Sequence, residues 1–488
     1  MIVCGLEEST NVTTNVLFLL SDEHARSALG TYGHRIVQTP TLDRLASSGM
    51  IFDRAYTPSP ICIPARASLA TGLHVFEHRC WSSAQPYYGQ VESWMHRLRA
   101  DGHTVVSIGK LHFRSGDDDN GFTEEILPMY LANDGKGWPQ SLIRSPLPAF
   151  AEAAELARLL GPGESDYTDY DRKITAAACN WIGRSAQRAH NKPWVLFVSF
   201  ASPHYPLIAP PSFFDLYRHR ETPEPFANSK SQRSQHPVLR EMLDFWNYDA
   251  YFDADSRRLA RQNYYGLCSF VDYNIRQVLA ALEHSGQDRD TLVIYTSDHG
   301  EMLGNHGFWA KSLMYEDSVA VPMIVAGQNI PVGVNHTPVS LTDMAATIET
   351  AITGSQRPAS APWQSRALQE FMRRAQSDRF ILSEYHDGGS PTGLFMIRQG
   401  DWKYVYYAGA YPAQLFHLQQ DLQETQDLGE NPAYAAVREK LHGFLNQVLD
   451  PETVNAQAFA EQARLLEDLG GAEKVLAMPS FNHTPIGC

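Results

Sequence analysis

The stretch Asn15-Val-Leu-Phe-Leu-Leu20-Ser21-Asp22-Glu23 sets the fold. Val16–Leu20 is an unbroken apolar run of strand length, the pattern of a strand buried on both faces. An acidic pair follows it at once. The same order recurs along the chain. Thr104–Ile108 precedes Gly109-Lys110-Leu111-His112, Trp194–Phe200 precedes Ser202-Pro203-His204, and Thr291–Tyr295 precedes Ser297-Asp298-His299. Helical patterning lies between these runs, over Thr41–Ser48, Arg172–Ala189 and Tyr264–His284. The alternation predicts an α/β fold, a large, mostly parallel sheet with helices on both faces. In such sheets ligands bind beyond the carboxyl ends of the strands, so the four polar endings are expected on one rim.

Outward from these runs, Ala209–Asp255 is rich in Pro, Ser, His and Arg and reads as a long surface insertion that could contribute to the site wall. Val339–Thr350 reads as a helix and Gly354–Gln364 as a connection. Arg379–Ser383, Leu394–Arg398, Lys403–Tyr407 and Gln414–His417 are short strand candidates, followed by a helix over Ala433–Val448. The expected organisation is a catalytic domain over 15–370, a small C-terminal antiparallel subdomain with a helix over 371–450, and a tail over 451–488. That tail carries a helix near Val454–Leu469, with apolar positions at Ala456, Phe459, Ala460, Ala463 and Leu466. A helix added to a closed core must bury that stripe, so a homo-oligomer with the tail at its interface is expected beside the alternative that the tail folds back on its own chain.

Composition narrows the classes. Of 488 residues, 40 are basic and 55 acidic, a net charge of −15, which argues against a general nucleic-acid binder. No apolar run is long enough to span a bilayer, and the first residues lack the pattern of a secretory signal; a cytoplasmic chain is expected. Cysteines 4, 62, 80, 179, 268 and 488 are too scattered for a disulfide framework. Asn11-Val12-Thr13, Asn335-His336-Thr337 and Asn482-His483-Thr484 fit the glycosylation pattern but read as chance matches in such a chain.

The most informative segment is Ser59-Pro60-Ile61-Cys62-Ile63-Pro64-Ala65-Arg66, which runs on to Thr71-Gly72. Pro64 suits the first turn of a helix and Gly72 its end. Cys62 then stands at the helix N-terminus, where free N–H groups favour an anion, with Arg66 one turn later on the same side. Cys62-x-Pro64-x-Arg66 followed by Thr71-Gly72 resembles the signature of the formylglycine-dependent sulfatases, in the alkaline phosphatase superfamily, and the resemblance extends over about residues 15–420. It implies that a separate formylglycine-generating enzyme oxidises Cys62 to formylglycine, whose hydrate is the nucleophile towards a sulfate ester. It also implies one divalent cation held by Asp22, Glu23, Asp298, His299 and residue 62. Oxygen donors with one imidazole suit Ca²⁺, or Mg²⁺ and Mn²⁺.

Gly109-Lys110-Leu111-His112 and Ser202-Pro203-His204 resemble further sulfatase segments, and Lys311 resembles the lysine that closes the site. By that resemblance Arg66, Lys110 and the metal hold sulfate oxygens, while His204 and Lys311 protonate the leaving oxygen. His112 takes a proton from the second diol hydroxyl to expel sulfate. His306 reads as structural. Glu384-Tyr385-His386 and Trp138 resemble positions of choline sulfatases, where an aromatic and an acid hold a quaternary ammonium. They mark Trp138, Glu384 and His386 as substrate-binding candidates. Residues 139–150 and the tail depart from that branch, so choline, aryl, alkyl and sugar sulfates all stay open. A phosphonate monoester or phosphodiester hydrolase is the alternative enzyme, and a non-catalytic sulfatase-like binding protein the third class.

Overall fold

The computed structural model describes residues 13–148, 150, 152–188, 190–355 and 364–486. The four apolar runs become adjacent strands. Thr291–Ser297, Asn15–Asp22, Trp194–Pro203 and Thr104–Lys110 lie side by side, all parallel, and Glu124–Met129 extends the same edge in parallel. On the other side Met323–Ala326 pairs antiparallel with Thr291–Ser297, then come Gly49–Phe52 and Gly333–Asn335, to give eight strands. Val16 to Leu20 are wholly inaccessible, because one hydrophobic cluster packs on each face of the sheet, and alternate residues of the strand feed the two. Helices cover both faces, as expected.

Helix boundaries move where caps decide them. The helix expected over Arg172–Ala189 runs Asp166–Ser185, because the Ser165 hydroxyl accepts from Thr168 N–H. The helix expected from Tyr264 begins at Ala254, where Asp253 caps Ser256 N–H, and runs to His284. The expected helix over Val339–Thr350 is split. Val339–Ser340 pairs with Ala55–Tyr56, and the helix proper is Asp343–Thr353. The second sheet is the four-stranded meander Phe380–Tyr385, Leu394–Gln399, Trp402–Tyr407 and Gln414–His417, packed by the helix Ala435–Val448. Within the expected connection, residues 356–363 lie outside the described residues.

The tail folds back on its own chain. Its helix, Pro451–Asp468, buries Val454, Ala458 and Gln462. Gln462 Nε2 donates to the His386 carbonyl at 2.7 Å, and its Oε1 accepts from Arg144 at 3.0 Å. The stripe read from the sequence is not the buried face, for Ala456, Ala460 and Ala463 point outward. The burying face carries a glutamine, so hydropathy pointed a few residues round the helix.

Candidate active site

The Cys62 helix, Cys62–Thr71, is buried along its whole length. It starts at Cys62 and closes at Gly72, whose φ of 75° lets its N–H reach the Ser68 carbonyl. This places Cys62 Sγ 3.0 Å from His299 Nε2 and 3.7 Å from Asp22 Oδ1. Asp22 and Asp298 come from the ends of neighbouring strands, where Ser21 pairs with Ser297. One donor atom from each of Asp22, Cys62, Asp298 and His299 lies within 4.8 Å of the others, and all four residues are buried.

The two carboxylates divide their oxygens. Arg66 Nη2 donates to Asp22 Oδ2 at 2.9 Å and Arg66 Nε to Asp298 Oδ2 at 2.8 Å. Lys110 Nζ also pairs with Asp22 Oδ2, at 2.8 Å. Asp22 Oδ1 is left towards Cys62 and His299. Asp298 Oδ1 accepts only backbone N–H groups, from Glu23 and His299. His299 Nδ1 lies 3.0 Å from the Gly300 carbonyl, so it must donate, which leaves the Nε2 lone pair facing the cluster. These donors fit a hard divalent cation: carboxylate oxygens held from behind, and an imidazole locked in the ligating tautomer. Burial alone would raise the Asp22 pKa, but the Lys110 ammonium and the Arg66 guanidinium hold it well below the usual carboxylate range.

Arg66 is therefore placed behind the carboxylates. Its remaining donor bonds the Lys110 carbonyl at 2.7 Å and Ser199 Oγ at 3.0 Å, so it ties together four neighbouring strands instead of facing the pocket. Lys110 is likewise wholly buried, on Asp22 and over the Tyr167 ring, with Nζ 5.5 Å from its centroid. His112 does reach the pocket, and both of its ring nitrogens are buried without a hydrogen-bond partner. Burial, with Lys110 and Arg66 nearby, pushes its pKa well down and keeps it neutral.

Glu23 departs from the expectation of a fifth ligand. Its backbone adopts φ 65°, and its carboxylate falls outside the four-donor cluster, in a second buried group with Asp22 and His204 whose donor atoms lie within 4.8 Å of one another. Oε2 pairs with Lys311 Nζ at 3.0 Å and lies 3.2 Å from His204 Nε2, so the carboxylate groups with Asp22 and His204. Burial raises its pKa to about 8 against the opposing pull of Lys311. Lys311 Nζ also lies 2.7 Å from His204 Nε2, and His204 Nδ1 lies 2.6 Å from the Tyr205 carbonyl. His204 thus donates through Nδ1 and accepts the lysine proton through Nε2. Burial and Lys311 lower its pKa well below the ordinary value.

Glu384 and His386 are corrected. Phe380, Leu382 and Glu384 share one strand face, towards the cluster beneath the helix Ala435–Val448, while Ile381 and Tyr385 take the other. Glu384 is fully buried, accepts from Phe76 N–H at 3.3 Å and lies 3.3 Å from His386 Nε2. Neither residue lines the pocket. His306 is structural, as expected: its ring stacks on Tyr315 at 4.0 Å and its Nε2 donates to the Gln423 carbonyl.

The pocket above Cys62 holds a cavity of about 130 Å³. Glu23, Cys62, His112, His204 and Lys311 line its polar part. Trp138 belongs to its aromatic wall together with Phe150, Trp246 and Tyr248; Trp246 and Tyr248 lie in the insertion suspected as a wall. Trp138 and Trp246 are 5.8 Å apart, and Trp246 stacks on Tyr248 at 5.8 Å. Phe481, Asn482, His483 and Thr484 complete the lining. Trp246 ends the amphipathic helix Pro237–Trp246, which the sequence reading left inside the insertion, whereas residues 481–484 carried no periodic signal.

A mostly parallel sheet thus carries an acid, imidazole and cysteine cluster beyond its strand ends. The sulfatase family pattern matches residues 14–354, and a second, described as N-sulphoglucosamine sulphohydrolase, C-terminal, matches residues 304–450. The chain belongs to the sulfatase family and is a sulfate-ester hydrolase. A choline-sulfatase of Rhizobium meliloti (strain 1021) is 30% identical over 472 residues, covering 92% of this chain and 90% of that one. An arylsulfatase K of Danio rerio is 26% identical over 486 residues, covering 93% and 88%. The fold is shared with a phosphonate monoester hydrolase of Agrobacterium radiobacter, with a TM-score of 0.71 and 22% identity over 91% of this chain and 96% of that one. Among the described residues no helix is long and apolar enough to cross a membrane.

Proposed function

We propose that the protein hydrolyses a compact sulfate monoester with residue 62, oxidised to formylglycine, as its nucleophile, beside one divalent cation held by Asp22, Asp298, His299 and residue 62. The observation that carries this reading is the placement of Cys62 at a helix start, within reach of two back-anchored carboxylates and one oriented imidazole. The unmodified thiol suits the task poorly, because burial and Asp22 push its pKa up. Ca²⁺ matches the oxygen-rich set best, with Mg²⁺ and Mn²⁺ as alternatives. When bound, the cation supplies charge neutralisation for sulfate oxygens and acidifies the attacking hydroxyl.

The chain's own groups then take separate tasks. Arg66 and Lys110 fix the carboxylates, and Lys110 adds positive charge behind the sulfate position. Neutral His112 has one unprotonated ring nitrogen, without a hydrogen-bond partner, to accept a proton at residue 62. The His204–Lys311 pair holds a proton shared across 2.7 Å on the leaving-group side, with Glu23 keeping the ammonium in place. The aromatic wall receives the alcohol, and its ring faces suit an apolar or quaternary-ammonium group. A cavity of about 130 Å³ compares with the roughly 150 Å³ that admits one benzene ring, which favours a small alcohol.

The test uses protein made in a host that supplies the formylglycine-generating enzyme. Mass spectrometry of the residue 62 peptide should show the aldehyde. Turnover of 4-nitrophenyl sulfate should exceed that of a phenyl phosphonate ester, and should vanish on chelation and in Cys62→Ala. Full activity with an intact thiol overturns the nucleophile, and faster phosphonate turnover replaces the sulfatase reading.

A further inference from the structure

Part of the pocket wall comes from residues 479–486, far along the chain from every catalytic group. Phe481, Asn482, His483 and Thr484 all line the cavity. The segment is pinned from several sides. Asn133 Nδ2 donates to the Pro479 carbonyl at 3.1 Å, Asn482 Nδ2 to the Glu152 carbonyl at 2.7 Å, and Tyr167 OH to the Thr484 carbonyl at 3.0 Å. The His483 ring meets Tyr167 edge-on at 5.3 Å and Tyr205 at 5.4 Å. Tyr167 is the ring that carries the Lys110 ammonium and lies 5.9 Å from the His204 ring.

Two features separate this segment from the catalytic machinery. Residues 481–486 are only half-buried, whereas Asp22, Lys110 and His299 are wholly inaccessible. The hydrogen bonds of Asp22, Arg66, Asp298, His299, His204 and Lys311 all go to other parts of the chain. The segment therefore shapes space without holding a reacting atom. It narrows a cavity that has room for about one ring.

We propose that residues 479–486 are a specificity strap, a wall drawn across the catalytic pocket that restricts the alcohol of the ester to a small group. Phe481 and His483 are its specificity-determining side chains. This rests on the sulfatase reading of the site. A bulky alcohol must displace the strap, and the hydrogen bonds to Asn133, Glu152 and Tyr167 oppose that displacement. A small one fits beneath it.

The experiment compares kcat/KM for 4-nitrophenyl sulfate and for the sulfate ester of a four-ring steroid alcohol. It uses the full chain, a chain ending at Met478, and Phe481→Ala/His483→Ala, each with residue 62 fully converted. The full chain should prefer the small ester. Loss of the strap or of its two side chains should shrink that preference by at least about tenfold, the range that pocket-size discrimination commands. The change should come mainly from a gain on the steroid ester. General loosening would lower both esters together and leave the ratio unmoved. A ratio that shifts by less than about tenfold in the double variant overturns the proposal, and this variant decides alone if the shortened chain fails to fold. Full chain that cleaves neither ester overturns the sulfatase reading and this one together, whereas turnover with an unmoved ratio overturns the strap alone.

Discussion

Glu384→Gln is expected to stabilise the protein increasingly as pH rises from about 5 to about 8. In the fold this carboxyl is fully buried, and burial lifts its pKa from 4.5 to about 8 despite the His74 ring and the Phe76 N–H. The His386 imidazole beside it is held near 3 by burial and Arg144, so it brings no positive charge. Between about pH 4.5 and 8 the unfolded carboxyl ionises while the folded one keeps its proton. The native state then binds more protons, and stability falls with pH at about 1.4 kcal/mol per unit. The whole window spans at most about 5 kcal/mol, an order-of-magnitude ceiling. Glutamine has nearly the same shape and does not titrate. Its carbonyl can accept from Phe76 N–H and its amide can donate to His386 Nε2, so that loss is absent from the variant. Urea unfolding of both proteins at half-unit steps from pH 5 to 8.5 measures the difference. The gap should widen with pH and then level off. A constant gap, or one that closes as pH rises, would show that Glu384 is ionised in the fold. Because the residue is off the pocket wall, cationic and neutral sulfates should respond alike to this substitution.

Asp298→Asn should reduce bound divalent metal below one equivalent by elemental analysis and cut turnover at least about a hundredfold. It should also lower stability by roughly 3 kcal/mol, because Arg66 loses a buried carboxylate partner; retained metal would refute the ligand assignment. Lys311→Ala should slow an alkyl sulfate by about 10²- to 10⁴-fold, and 4-nitrophenyl sulfate, whose leaving group needs little protonation, by much less. Equal losses on the two esters would remove Lys311 from the leaving-group side.

The strand order and the cluster were legible because their signal is local. An apolar run long enough to cross a buried sheet, followed at once by polar residues, dictates both the strand and the rim on which its ending lies. Asp22, Asp298, His299 and Cys62 met where those endings converge. Side-chain direction was not legible. Glu23 differs from Asp22 by one residue and a positive φ, and Glu384 from Tyr385 by the alternation of one strand. Glu384 turns away from the pocket, whereas Glu23 lines it beside Lys311 and His204, outside the four-donor cluster. The tail's fold back on its own chain was one of the two expected outcomes, but the buried face of its helix was misread for another reason. Its burying face includes Gln462, whose amide is satisfied by Arg144 and a carbonyl, and no hydropathy pattern reports that a polar group has found partners. Trp246 closes the helix Pro237–Trp246, Tyr248 opens a short 3-10 turn and Phe481 lies in an irregular segment, and their meeting at the pocket depends on the finished fold.

The depth of Cys62 sets an order of events in the life of the chain. The residue is 5% exposed, at the floor of the pocket, and every residue of its helix is buried. A second protein cannot grip the peptide around Cys62 without pulling that helix out from between the strand ends and the core. The oxidation proposed for Cys62 is therefore a race against folding, run once while the segment is still extended. A molecule that folds first is sealed with its thiol intact. The active fraction of any preparation is then fixed at synthesis, by the supply of the modifying enzyme relative to the speed with which the sheet closes, and later incubation of the folded chain with that enzyme cannot restore what was missed.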